Sequence, residues 1–504
     1  MKTKIFLVFS LLIVFTDLIQ AQQKTIQEEL QELRDQTRKQ NDMLSMPNKT
    51  DSTSIFRQNK KWSLEECIQY AIENNISIKQ LRLNQENAEI QKSTAVNSRL
   101  PNLNANLGQQ WNYGRTQDIF GEYYTSRDSL GEYYDLNQST IGANIQSTLP
   151  LFTGFRIPNQ IARAKLDLQA AIQDLEKAKD DLSLAITSLF LQALFYKELC
   201  IINDKQLEIS KTQVERTKIL VQGGNVPKSQ LYDIEAQEAK DEVNVVNARN
   251  NLELALLDLS QSLELERNTE FDIYAPDFNN DIITAYLSSL QPPEIIYENA
   301  VNFKPIIKGQ EYRVESSKKS LKIAESGYYP QLDFTLGIGT NYNHISKPSR
   351  LINPMTHEDM ILNLPFSEQL RNYGTKLIAF NLNIPIFNRF QVRNQVRSAR
   401  IDILNQQLIL ENNKKKLYKE IQTAFKNATA AQAKYRASER AVKSANESFD
   451  YTRKRYEIGN ATVFEFNDAQ NRLIQSQSEL AQAKYEYILR TKILDFYNGV
   501  PIQL

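Results

Sequence analysis

Residues 141–189 read IGANIQSTLPLFTGFRIPNQIARAKLDLQAAIQDLEKAKDDLSLAITSL, and their periodicity changes once along the way. Ile141, Ala143, Ile145, Leu149 and Leu151 are apolar, while Gly142, Asn144, Gln146 and Thr148 between them are small or polar. Successive side chains of a strand point to opposite faces, so this is a strand with one apolar and one wet face. Pro150 cannot donate to a ladder and is expected to end it. Beyond Gly154 the period becomes seven: Ile161, Leu168, Leu175, Leu182 and Leu189, with Ala164, Ala171, Ala178 and Ala185 three residues later. That is a coiled-coil seam with alanine at one seam position. A strand with an apolar outer face therefore runs directly into a very long helix.

The transition recurs about 235 residues later. Ile378, Phe380, Leu382, Ile384 and Ile386 alternate with Ala379, Asn381, Asn383 and Pro385, and Val396, Ile403, Leu410 and Leu417 keep the seven-residue spacing. Leu149-Pro150-Leu151-Phe152 matches Ile384-Pro385-Ile386-Phe387, and Asn159-Gln160 matches Asn394-Gln395. The chain is an internal duplication, and each element is expected twice.

Composition bounds the function. The 504 residues carry no net charge, so there is no basic field for nucleic acid and no acidic one for cations. A mean hydropathy of −0.49 excludes a bundle of membrane-spanning helices. Cys67 and Cys200 fall in helical stretches without metal-ligand spacing and read as buried helix residues. His344 and His357 fall in a Pro/Asn-rich loop with no nucleophile or ligand set. Lys2, Lys4 and the apolar run Ile5–Phe15 read as a signal peptide over residues 1–21.

Residues 22–60 read as a polar extension and linker. The first repeat, 61–265, begins with a helix over Trp62–Ser98, capped by Ser63 with Glu66. A strand follows over Leu103–Tyr113, then a loop holding a tandem Gly-Glu-Tyr-Tyr at Gly121 and Gly131. After the strand at 141–151, a helix to Gln222 and another from Ser229 to Leu265 form a hairpin around Gly224-Asn225-Val226. An irregular stretch, 266–291, joins this to the second repeat, 292–497. That repeat comprises a helix over Pro293–Gly327, strands over Leu332–Tyr342 and Ile378–Ile386, and a hairpin turning at Gly459-Asn460-Ala461. Residues 498–504 are a tail.

Alternation over about ten residues suits a tilted strand crossing a bilayer. Only closed barrels satisfy strand backbones in lipid, and membrane barrels need about eight or more strands. Four strands per chain therefore demand oligomerisation. Eight strands from two copies and twelve from three both remain open. A water-filled pore favours the larger ring, because eight-stranded barrels fill with side chains. The alternative reading is a secreted coiled-coil scaffold or adhesin, which needs no membrane strands. The sequence has no Ser/His/Asp set, metal spacing, P-loop or dinucleotide fingerprint, which argues against an enzyme.

The order helix, strand, strand, hairpin, given twice, resembles the TolC-like outer-membrane efflux proteins. So do Trp62-Ser63-Leu64-Glu65-Glu66-Cys67-Ile68 and the Gly224 and Gly459 turns, within a match over about Trp62 to Pro501. The resemblance implies an α+β membrane protein that forms a homotrimer. Its twelve-stranded β-barrel would stand in the outer membrane of a Gram-negative bacterium, continuous with a coiled-coil helical tunnel in the periplasm. It implies an inner-membrane pump and a periplasmic adaptor as partners, contact with outer-membrane lipid, and no cofactor. It places residues 266–291 at an equatorial belt and the adaptor at Gly224, Asn225, Val226, Gly459, Asn460 and Ala461. It also places an acidic ring at the periplasmic mouth at Glu465 and Asp468, with Gln230 and Asp233 at the matching first-half positions. A tyrosine lock is placed at Tyr456. Ala461 stands where the resembled channel has an arginine, so the lock is expected to be weaker or differently partnered here.

Overall fold

The computed structural model describes residues 61–113, 115–116, 134–135, 137–265, 271–276, 291–346 and 364–502. The signal peptide, the extension up to residue 60, His357 and most of the Gly-Glu-Tyr-Tyr repeat lie outside them. The chain divides into two compact units, 1–62 with 266–274, and 63–265 with 275–504. In the first unit Lys61–Trp62 pairs in parallel with Asp272–Ile273, and the Tyr274 amide donates to the Trp62 carbonyl at 2.9 Å. Trp62 is therefore a strand residue rather than the start of a helix, and the stretch 266–291 is not wholly irregular.

The second unit holds the duplication. Each repeat opens with a broken helix where the sequence reading expects a continuous one. In the first, α1 (Leu64–Asn74) is capped by the expected Ser63–Glu66 box, with bonds of 3.1 and 3.2 Å. It stops at Asn75, whose side chain accepts from the Ser77 and Ile78 amides and so starts α2 (Ile76–Asn97). An asparagine that offers its own oxygen to free helix N–H groups competes with helix continuation. The equivalent break, between α5 (Pro293–Phe303) and α6 (Pro305–Glu325), follows from Pro305, which lacks an amide and sits at a first helical position. Lys304 at this break is 5% exposed, and its ammonium lies 3.5 Å from Asp180 and over the Phe496 ring.

The strands β1 (Asn102–Asn112), β2 (Asn137–Phe152), β3 (Gln331–Ser346) and β4 (Thr375–Asn383) form one antiparallel sheet in that order. Asn102 pairs with Thr148, and its counterpart Gln331 pairs with Asn383. Shifting β1 by 229 residues and β2 by 235 converts the first register into the second, so the duplication preserves pairing as well as order. β2 runs through Pro150 to Phe152, with the register slipping between the two. The proline opposes Asp333 at this irregularity, one of the places where a sheet tolerates it. β4 conversely stops at Asn383, short of the expected Ile386. The short helix α7 (Phe366–Asn372), within a stretch read as loop, covers the edge of β3 beyond the start of β4. There the Gln369 side chain accepts from the Asn343 amide and donates to the Asn343 carbonyl, both at 2.9 Å, standing in for a strand.

Long helices follow β2 and β4. α3 (Arg156–Gln222) and α8 (Gln391–Glu457) each have 67 residues, about 100 Å at the α-helical rise. Both are entered through consecutive left-handed residues, Gly154-Phe155 and Arg389-Phe390. A Cβ at Gly154 would lie 2.7 Å from the Ser326 carbonyl, so the close approach there requires glycine. α4 (Lys228–Ser262) and α9 (Val463–Tyr497) complete the hairpins. Leu168 and Leu175 of the expected seam are buried, as are Val245, Ala248, Ala255 and Leu259 of α4, whereas Ala185 is exposed. Where α5 and α6 meet α8 and α9, Ile296, Ala300, Ile307, Leu417, Ile421, Ala428 and Leu494 form a core. Cys67 is fully buried at the position matching Ile296, as expected for a small hydrophobe, and burial pushes its thiol up to about 12. Cys200 is also free and buried.

Candidate functional site

Two regions carry the functional geometry, the sheet and the hairpin tips. On one face of the sheet, Leu107, Trp111, Ile145, Ile338, Ile378, Phe380 and Leu382 are 40 to 80% exposed. The other face presents Asn104 beside Gln146, Asn106 beside Asn144, and Asn102 beside Thr148. Tyr342 and Phe334 lie on the apolar face eight residues apart in β3. That is about 27 Å along the strand, the scale of the apolar band of a tilted outer-membrane barrel. Tyr342 meets Phe366 edge-on at 5.0 Å, and Phe334 meets Phe380 at 4.9 Å, so aromatic rings mark both limits of the band. Both edge strands lack a further strand partner among the described residues, and every residue of β1 is exposed.

At the first tip Gly224 has φ +73, and the Asn225 amide closes back on the Leu220 carbonyl at 2.9 Å. At the second, Gly459 has φ +77, and the Asn460 amide closes on Arg455 at 2.8 Å. A left-handed residue just past the helix end terminates it and frees the chain to reverse, which explains glycine at both positions. Asn225 and Asn460 are exposed, and Val226 and Ala461 are half-buried. The tips lie side by side, with Val214, Ile234 and Val463 in one cluster and Arg216 3.7 Å from Glu457.

The expected gate residues gather at the second tip. Tyr456 stacks on Phe466 at 5.0 Å and packs against the Val214 cluster. Glu465 closes a capping box with Thr462, accepting from the Thr462 amide at 2.8 Å, and its second oxygen is 3.9 Å from Arg455. The Thr462 amide and hydroxyl hold its carboxyl below the usual range, with Arg455 adding to the effect. Asp468 lies one turn on and pairs with Arg472 at 2.8 Å. Both acids thus have arginine partners that the sequence reading missed. Asp468 and Arg472 stand at helical pair spacing, and Thr462-x-x-Glu465 is the same capping signature as Ser63-x-x-Glu66. Arg455 reaches Glu465 only across the turn. Asp233 is exposed on α4.

The family model described as "Outer membrane efflux protein" matches residues 67–264 and 296–499, most of both repeats. The chain belongs to the outer membrane efflux protein family. This efflux protein is 22% identical to the outer membrane protein TolC of Escherichia coli strain K12 over 372 residues, 73% of this chain and 71% of TolC. Its fold is similar to crystal structures of CusC, with a TM-score of 0.67, 17% identity and coverage of 88% of this chain and 95% of that one. The outer membrane protein VceC of Vibrio cholerae gives a TM-score of 0.66 at 14% identity, covering 87% of this chain and 96% of VceC. This efflux protein is accordingly an outer-membrane export channel, in a family of transport channels rather than enzymes. The scaffold or adhesin alternative is set aside.

Proposed function

We propose that three copies close their sheets into one twelve-stranded barrel whose wet interior continues into a helical tunnel. The channel takes cargo from an inner-membrane pump through a periplasmic adaptor. The open four-stranded sheet carries this reading: it has one apolar face, one polar face and two bare edges. Strand edges left unpaired in lipid cost several kcal/mol per group, and four strands are too few to close. Twelve strands leave room for water where eight do not. The outer face would meet lipid, with the aromatic rings at its limits.

The tips at Gly224-Asn225-Val226 and Gly459-Asn460-Ala461 are the adaptor contact, supported by their exposure at the ends of both hairpins. Glu465 and Asp468, one turn apart on α9, form an acidic gate with Tyr456, and Asp233 flanks it from the first hairpin. Threefold symmetry brings six of the α9 carboxylates to one constriction together with their Arg455 and Arg472 partners, and cations are favoured where the carboxylates, rather than the arginines, line the opening.

Native mass in detergent tests the assembly. The chain is 58.2 kDa before any leader is removed, and the particle should contain three. A folded monomer or a dimer would overturn the twelve-stranded barrel. Bulky replacements at Val226 and Ala461 should abolish export and leave the trimer intact, and unimpaired export would move the docking site elsewhere.

A further inference from the structure

β2 and β4 are duplicates, yet they end differently. β2 extends to Phe152 because Leu149 pairs with Phe334, Pro150 with Asp333 and Phe152 with Leu332. The matching residues of β4 are Ile384, Pro385 and Phe387, which lie beyond its end at Asn383. Ile384 is 57% exposed, Ile386 95% and Phe387 71%. Leu149 and Phe152, the twins of Ile384 and Phe387, are paired, so Ile384 and Phe387 lack a strand partner that the single chain does not supply, whereas Ile386 matches Leu151 at the register slip. β3 supplies that partner to β2, and the duplicate of β3 is β1, whose outer edge has no strand partner among the described residues.

We propose that residues 384–387 complete β4 as a strand on β1 of a second copy of this chain, in the register that the duplication dictates. The inference rests on the closed-barrel reading and adds the residue pairs. Applying the 229- and 235-residue shifts to the β2–β3 ladder converts Ile145 opposite Ile338 into Phe380 opposite Gln109 of the next copy. Ile378 then faces Trp111, Leu382 faces Leu107, Ile384 faces Ala105 and Phe387 faces Leu103. The same shifts already interconvert the β1–β2 and β3–β4 registers without error, which is an internal check on them. Parity agrees independently. In this register the apolar faces of β4 and β1 coincide, whereas a slip of one residue would turn one of them into the pore. Amphipathicity alone tolerates slips of two residues; the duplication excludes those.

Cysteine pairs in the full-length protein in its native membrane test the register. Residues directly opposite across antiparallel strands have Cβ atoms about 5 Å apart, and diagonal ones about 7–8 Å, beyond disulfide reach. β1 and β4 are opposite edges of one chain's sheet, so a bond between them joins two copies. Cys67 and Cys200 are buried and out of reach. Ile378→Cys, Phe380→Cys and Leu382→Cys, each combined with Leu107→Cys, Gln109→Cys or Trp111→Cys, give nine chains. Ile384→Cys with Ala105→Cys probes the segment itself. The pairs 378/111, 380/109, 382/107 and 384/105 should oxidise to covalent oligomers at least about tenfold faster than the others, because only they are directly opposed. Oligomers that form normally but cross-link best one step off, at 380/107 and 378/109, would overturn the register and leave the barrel standing. Oligomers in which 384/105 alone fails would overturn the strand extension. Chains that remain folded monomers would overturn the barrel and this inference together.

Discussion

The two hairpins share a backbone and differ in what fills them. In the first, Asp241 is 1% exposed and accepts from Gln206 at 3.0 Å, from Gln237 at 2.9 Å and from Ser210. The counterparts of Gln206, Ser210 and Asp241 are Ala441, Ala445 and Ser476. The second hairpin is aromatic where the first is not. Phe449, Phe466 and Tyr456 stand at the positions of Val214, Leu231 and Val221, and the stacked pair Tyr435 and Tyr487 at those of Cys200 and Leu252. A carboxylate with three donors has one satisfying geometry, whereas offset rings keep contact through small displacements. The duplication has kept turns, strand register and heptad spacing while letting each layer be filled by different physics.

Substitutions in the filling layers should separate the hairpins most. Phe466→Ala removes a ring that is 3% exposed and should cost about 4 kcal/mol, while the equivalent Leu231→Ala, half-buried, should cost about 1.5 kcal/mol. Denaturation midpoints in detergent measure both, and equal losses would deny the aromatic layer its role. Asp241→Ala strands three donors and should cost about 3 kcal/mol, with Asp241→Asn well below that because one acceptor oxygen remains. The matching Ser476→Ala should be near neutral, and a cost similar to that of Asp241→Ala would erase the contrast.

Smaller effects sharpen it. The hydroxyl of Tyr487 is buried without a hydrogen-bond partner among the described residues, so Tyr487→Phe should stabilise the second hairpin by up to about 1 kcal/mol. Thr462→Ala should cost about 1 kcal/mol through its capping box, and Pro227→Ala at the uncapped first tip should change little. The depressed Glu465 carboxyl gives the smallest and most local effect. Its contribution is complete above the unfolded value of about 4.3 and is lost as pH falls through the lower folded value. Amides at residues 463–466 should lose exchange protection in that window while those at 228–231 do not.

The period of the apolar residues was enough to read four strands, four long helices and the duplication, because strand and helix faces repeat at 2.0 and 3.5 to 3.6 residues. Breaks that depend on a side chain binding its own backbone were less legible. Asn75 interrupts a helix without proline or glycine, and Gln369 replaces a strand from inside a stretch that looked like loop. Pro150 misled in the other direction, because a register slip in β2, where Leu151 is the extra residue against β3, admits it. At the tips the glycines were legible from the break in the helical period, whereas the two acids were singled out by the family resemblance; Thr462 and Arg472 could have been read from spacing. Arg455 was not, since its contact depends on the turn's three-dimensional path.

Single-channel recording from the purified protein in a planar bilayer tests the central claim most directly. A closed barrel over an acid-lined mouth should give discrete, cation-selective conductance steps. Glu465→Gln with Asp468→Asn should abolish the selectivity while keeping the steps, and Tyr456→Phe should enlarge them. Membrane-inserted oligomers that carry no ionic steps, in the native protein or in either variant, would contradict the channel itself.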